Sequence, residues 1–196
     1  EEALKTSAIE GEKLDPDAVR SSVGRHLGLP DAGLKYVQDQ KADGLVQILL
    51  DATNNHHQEL TPERLFAWHA ALFPSGYSGM VQINVAQWRD DKDGPMQVVS
   101  GPVGNQKVAY EAPPAHLIEN EMKRFIIWVN EAADRDGILK AALAHLWFIT
   151  IHPFDDGNGR IARTLTDMLL ARDENSPKRF YSLSSQIMAE RDDYYY

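Results

Sequence analysis

The sequence predicts an all-α domain that carries one β-hairpin. Three observations predict it. Apolar residues recur at helical spacing through most of the 196 residues. Glycine and proline break that pattern in one interval, residues 75–114. A strongly apolar helix runs straight into a glycine-rich loop near residue 157. In chain order, residues 1–10 read as a short helix closed by Gly11. Residues 16–27 form a second, with Asp15 as N-cap, Pro16 at the first helical position and Gly28 past its end. Residues 36–54 place Val37, Leu45, Ile48, Leu49 and Ala52 at helical spacing, and residues 62–73 start behind Thr61 and stop at Pro74. In the glycine- and proline-rich interval, runs 96–100 and 107–110 flank Gly101-Pro102-Val103-Gly104-Asn105, which reads as one hairpin in otherwise irregular chain. Residues 115–133 turn Leu117, Met122, Phe125, Ile126 and Val129 inward, and residues 138–151, apolar almost all round, are the expected central buried helix. Residues 159–172 carry Ile161, Leu165, Met168 and Leu169 on one face, and residues 184–196 start from a serine N-cap.

Composition narrows the class. Twenty basic against twenty-nine acidic side chains give a formal charge of −9, which argues against a nucleic-acid or anionic-membrane surface. No cysteine is present, so disulfides, thiolate nucleophiles and cysteine zinc sites are excluded. No run approaches the roughly 18 apolar residues of a membrane span, and no signal-like N-terminus appears, so a soluble cytoplasmic domain is expected. Glu1 opens mid-helix without an initiator Met and Tyr196 ends without a cap, so a piece of a longer protein is expected.

The chemistry concentrates in His152 to Arg163, HPFDDGNGRIAR. Arg160 and Arg163 fall in the first turn of the helix that follows the loop, where unpaired N–H groups already present partial positive charge. A cation there is disfavoured by roughly 0.3–1 kcal/mol unless an anion offsets it. A multiply charged phosphate fits, because Gly157, Asn158 and Gly159 make a cradle of backbone N–H groups that phosphate can approach closely. His152, at the end of the preceding helix, is the candidate general base. Asp156 is a hard oxygen ligand suited to Mg²⁺, which takes one or two carboxylates plus substrate phosphates. Asp155 or Asp167 could instead neutralise the arginines, which is the bland alternative.

These residues resemble the signature of the Fic family, His-x-Phe-x-Asp/Glu-Gly-Asn-Gly-Arg-x-x-Arg, at every defined position. The resemblance extends to the hairpin near Val98-Val99-Ser100-Gly101 and to the Arg-x-x-Tyr-Tyr run from Arg191 to Tyr195. It implies a mostly helical fold with a β-hairpin flap beside the active-site loop, and a protein adenylyltransferase that moves AMP from ATP to a target hydroxyl. By the same resemblance His152 takes the hydroxyl's proton and Asp156 holds Mg²⁺. Arg160 and Arg163 hold the β- and γ-phosphates, and Asn158 lies beside the α-phosphate. Phe154 anchors the loop, and Gly159 favours adenylylation, since phosphorylating relatives carry lysine there. Tyr194 and Tyr195 contribute to the adenine pocket. The flap, about residues 96–112, docks the target protein, with the strand around Val98, Val99 and Ser100 pairing an extended segment.

Thr6-Ser7-Ala8-Ile9-Glu10-Gly11 matches the family's inhibitory pattern, Ser/Thr-x-x-x-Glu-Gly/Asn. The resemblance implies that Glu10 pairs with Arg163 in place of the γ-phosphate, dividing the chain into an inhibitory helix, residues 1–14, and a catalytic core, residues 15–196. Two other readings stay open: a hydrolase that removes AMP from targets using Glu10, and a nucleotide-binding module whose chemistry has lapsed. For His56-His57, His69 and the pair His145 and His152, solvated or core roles are expected rather than zinc. Tyr77-Ser78 is a minor candidate for self-modification, and a homodimer is left open.

Overall fold

The computed structural model describes residues 1–29, 37–100, 107–131 and 136–190. Helix α7 (Asn158–Asp173) is the axis on which the rest is laid, and every residue from Ile161 to Ala171 is buried. Before it come α1 (Glu2–Ile9), α2 (Pro16–His26), α3 (Gln40–Asn54), α4 (Pro62–Leu72), α5 (Ala115–Asn130) and α6 (Gly137–Ile151), and after it α8 (Leu183–Ala189). Helix α7 runs along α6 and also packs on α3, α4, α1 and α8. Leu45, Ile48, Leu65, Ile118, Phe125, Phe148, Phe154 and Leu165 meet in one core, each contributing roughly 1.5–3 kcal/mol by leaving water.

Two antiparallel hairpins sit on this frame: β1 (Tyr77–Ser78) with β2 (Val81–Gln82), and β3 (Gln97–Ser100) with β4 (Lys107–Glu111). Only the second was expected; β1 and β2 are two-residue strands, too short for a periodicity to register. In the second hairpin Val98 faces Tyr110 and Val99 faces Val108, so Ala109 is the extra residue of a bulge. The Tyr110 hydroxyl donates to the Thr150 carbonyl at 2.8 Å, tying β4 to the end of α6.

The expected caps at Asp15 and Thr61 form, accepting from the N–H groups of Asp17 and Arg64. Other boundaries shift for local reasons. Helix α3 starts at Gln40, four residues later than expected, because the Asp39 carboxylate accepts from the N–H groups of Lys41 and Ala42. Helix α5 stops at Asn130, where the Asn130 side chain instead bonds the Leu60 backbone in both directions. Helix α8 is capped by Ser182, not Ser184; Ser184 is fully buried and its hydroxyl donates to the Glu2 carboxylate. The expected helix beyond residue 190 lies outside the described residues.

The core differs from the periodicity in two places. Leu117 is 41% exposed, one position out of phase with the buried stripe Ile118, Met122, Phe125, Ile126 and Val129. The central buried helix is α7 rather than α6, whose Ile138, Leu139 and Leu146 are exposed. Buried Thr164, Thr166 and Asp167 of α7 each find a partner. Thr164 and Thr166 donate to the carbonyls of Arg160 and Ala162, and Asp167 lies 3.4 Å from Arg179.

Candidate active site

The motif loop begins where α6 is forced to stop. His152 adopts the left-handed region (φ 51°, ψ 59°), a conformation that costs a non-glycine residue about 1–2 kcal/mol, and Pro153 follows. The strain is held by Arg89, buried at the base of the hairpins. Its Nε donates to the His152 carbonyl at 2.7 Å, its backbone N–H to the Pro153 carbonyl at 2.9 Å, and its terminal nitrogens to Asp91 and the Pro113 carbonyl. Asp91 in turn accepts the N–H of Ala115 at the start of α5. One guanidinium thus fastens the motif loop to both ends of the flap region.

Phe154 is fully buried, stacked on His69 with centroids 4.2 Å apart and planes at 10°. His69 is the second hidden support: its Nε2 donates to the Asp156 carbonyl at 3.2 Å, and its Nδ1 accepts the Ala86 N–H. Asn158 closes the loop on itself, its Oδ1 accepting from the Phe154 N–H at 3.0 Å and its Nδ2 donating to the Phe154 carbonyl at 2.8 Å. Gly157 is required twice over: φ is +81°, and a Cβ there would lie 2.8 Å from Phe73 Cε2. The N–H groups of Asn158, Gly159 and Arg160 then open the first turn of α7, where helix geometry supplies no acceptor and no side chain caps them.

His152 Nδ1 faces the Ile149 carbonyl at 3.3 Å. A carbonyl only accepts, so Nδ1 carries the proton and the neutral ring keeps a lone pair on Nε2. Burial lowers the His152 pKa below the ordinary imidazole value; the Ile149 carbonyl raises it, Arg89 lowers it further, and Asp156 and Glu10 oppose that. Asp156 accepts the Gly157 N–H on one oxygen and the Ser78 hydroxyl on the other. Among the described residues no group of three His, Cys, Asp or Glu side chains could hold a metal. A lone carboxylate does not fit a resident ion; it does fit Mg²⁺ arriving on substrate phosphates. His145 is half-buried, 3.0 Å from Thr166, with its pKa lowered by burial to about 4, and His69 is enclosed in the core.

The two arginines have different settings. Arg163, 2% exposed, donates to Thr6 Oγ1 and to Glu10 Oε1, each at 2.5 Å. That carboxylate hangs over the cradle: a Cβ on Gly159 would lie 2.5 Å from Glu10 Oε1. Arg160 stacks on Phe73, its guanidinium carbon 4.9 Å from the ring centre. Its nearest carboxylates are Glu12 at 3.4 Å and Asp156 at 3.7 Å, and its buried Nε has no hydrogen-bond partner among the described residues. Neither Asp155 nor Asp167 neutralises the arginines; Asp155 accepts the Asn84 N–H and Asp167 pairs with Arg179. Glu12, which also holds Lys41 at 2.6 Å, and Arg89 carry no signal in the sequence, while His69, expected as a core or solvated residue, is a core residue that also supports the loop, and Ser78, a minor self-modification candidate, donates to Asp156. Val98 and Val99 are exposed on β3, and Ser100 ends that strand opposite Lys107. Tyr194 and Tyr195 lie outside the described residues.

A helix-loop-helix turn carrying this motif defines a family. The model described as Fic/DOC family matches residues 59–170, more than half of the chain, and the chain belongs to that family. Residues 1–29 match a second model, described as a domain of unknown function, DUF4172. Among curated relatives, "Probable protein adenylyltransferase aq_aa38" of Aquifex aeolicus is 29% identical over 42% of this chain and 26% of its own length. "Uridine 5'-monophosphate transferase" of Xanthomonas campestris is 28% identical over 69% of this chain and 26% of its own length. "Protein adenylyltransferase fic-1" of Caenorhabditis elegans is 38% identical over 30% of this chain and 12% of its own length. The chain therefore spans about a quarter or less of the length of these relatives. A Fic domain containing signaling protein from Bacteroides thetaiotaomicron superposes with a TM-score of 0.69 at 20% identity, covering 100% of this chain and 69% of that one. That likeness supports the fold.

Proposed function

We propose that this site transfers AMP from ATP to a hydroxyl side chain of a target protein, and that the N-terminal segment holds it off. The observation that carries the reading is Arg160: a buried guanidinium at the electropositive end of α7, with an orphaned Nε and no carboxylate closer than 3.4 Å. Such a group is completed by a multiply charged anion brought from outside.

In the transfer, His152 Nε2 takes the proton of the acceptor hydroxyl as its oxygen attacks the α-phosphorus in line. The bond to the β-phosphate oxygen breaks and pyrophosphate leaves. The first-turn N–H groups of α7 meet the charge that develops on the α-phosphoryl oxygens, and Arg160 and Arg163 take the β- and γ-phosphates. Mg²⁺ on the triphosphate would have Asp156 as its protein ligand and would neutralise phosphate charge.

The restraint comes from two carboxylates two residues apart. Glu10 occupies Arg163 and the space over Gly159, and Glu12 lies beside Arg160 while anchored by Lys41. A terminal phosphate competes with both, so productive seating of the triphosphate requires residues 10–12 to move. The test is the intact mass of the Glu10→Gly chain after incubation with Mg²⁺ and either ATP or UTP. A gain of one AMP that His152→Ala abolishes is expected. A gain from UTP alone would move this chain to the chemistry named for the Xanthomonas relative, and no gain from either nucleotide would refute nucleotidyl transfer.

A further inference from the structure

Between the two hairpins lies a groove of about 610 Å³, within the size range of ligand sites. One wall is β2 and the residues after it, Val81 to Asn84; the other is β3 with Met96, Gln97 and Val99; the floor reaches Asp155 of the motif loop. Among the described residues β2 pairs only with β1 and β3 only with β4, so each wall offers a strand with one edge unpaired. Val81 and Val99 are exposed there, apolar side chains that a docked segment would cover. The charge is one-sided: Asp90, Asp93 and Asp155 line the groove against Lys92 alone, and Lys92 already pairs with Asp90 at 2.6 Å.

Strand pairing of the target on the flap is what the Fic resemblance already implies; we propose that the carboxylates of this groove add a selection, for target segments in which lysine or arginine flanks the acceptor hydroxyl. The inference rests on the transfer reading above. Backbone pairing to a strand edge supplies affinity without sequence preference. The preference comes from the carboxylates, because a cation close to Asp93 and Asp155 is attracted and an acidic segment is repelled. Asp155 lies three residues from His152 in the same loop, so a side chain read by Asp155 belongs to a residue near the acceptor. The same field disfavours a nucleotide here, which leaves the groove to the protein substrate.

The experiment uses the Glu10→Gly chain with α-labelled ATP, Mg²⁺ and two peptides of β-prone sequence, each with one threonine, flanked by lysines in one and by glutamates in the other. The lysine peptide is expected to be labelled with a kcat/KM about tenfold higher, at the lower end of electrostatic steering. The preference should shrink as salt is raised. In the Asp93→Lys/Asp155→Asn double variant it should vanish or invert, while ATP affinity by calorimetry stays unchanged. Equal labelling of the two peptides, or a preference the double variant leaves intact, overturns the proposal. So does a chain that labels itself or a second copy while labelling neither peptide. Self-labelling in the same tube shows that transfer is working, so that failure is distinct from loss of label everywhere, which would refute the transfer reading and the groove's role together.

Discussion

Replacing Glu10 separates two effects that one side chain combines. Its carboxylate makes a charge-assisted hydrogen bond to a guanidinium that is only 2% exposed, and its Oε1 fills the space above Gly159 where the cradle would receive phosphate. A hydrogen bond to a charged group is worth about 1.5–3 kcal/mol. The Glu10 side chain is 35% exposed, which places this bond at the lower end, about 1.5–2 kcal/mol after solvent screening. That free energy converts to about 10- to 30-fold in the equilibrium between docked and released segment. Glu10→Gly removes both charge and volume, so self-adenylylation should rise by at least about tenfold. Glu10→Gln keeps the volume over Gly159 and loses only the charge, so its rise should be smaller.

The assay is the initial rate of label incorporation from α-labelled ATP at saturating nucleotide, with far-UV circular dichroism confirming that each variant is folded. The order wild type, Glu10→Gln, Glu10→Gly follows from charge and volume acting together. A folded Glu10→Gly chain that works at the wild-type rate would refute inhibition by this carboxylate. A Glu10→Gly/His152→Ala chain as fast as Glu10→Gly would remove His152 as the base.

Four further outcomes follow from the same geometry. Burial disfavours the His152 imidazolium, so the acidic limb of kcat/KM in the Glu10→Gly chain should fall below pH 6.5, and a limb above that value would contradict the buried, Nδ1-protonated ring. Glu12→Gln should raise self-adenylylation less than Glu10→Gly, because its contact to Arg160 is longer at 3.4 Å, and should add to it in the double variant. Gly157→Ala should cost about 2–5 kcal/mol in urea unfolding, from the left-handed backbone and the collision with Phe73 together. Asp167, raised by burial and then by Glu2 from 3.8 to about 7, binds its proton more tightly folded than unfolded, so its contribution is favourable at low pH and is lost as pH rises from about 4 to 7. Asp167→Asn should therefore raise Tm more at pH 8 than at pH 5, and an equal change at both would show that the carboxyl titrates normally.

What was legible in the sequence is what is local. Caps at Asp15 and Thr61, the stop at His152-Pro153 and the cradle from Gly157 to Gly159 are each set by residues within a few positions of one another. The Glu10 to Arg163 contact was legible only through a family pattern, because its partners stand 153 residues apart. Nothing local marks Arg89 as the residue that fastens loop to flap, or His69 as the support under Phe154, since each acts across more than sixty residues.

The burial of α7 rather than α6 has the same origin and bears on function. Periodicity ranks a helix by how apolar it is, and α7, with its arginines, threonines and Asp167, ranks below α6. Burial is decided instead by whether each polar group finds a partner. For Arg163 those partners, Thr6 and Glu10, are both on or at the end of α1, a helix otherwise tied through Glu2 to the start of α8. A buried guanidinium stripped of its carboxylate carries a penalty of several kcal/mol, so α1 cannot leave Arg163 empty at little cost. Under the proposed function an incoming γ-phosphate would remove that penalty by taking the carboxylate's place, and this exchange is how the N-terminal helix and the nucleotide would sense each other in one chain.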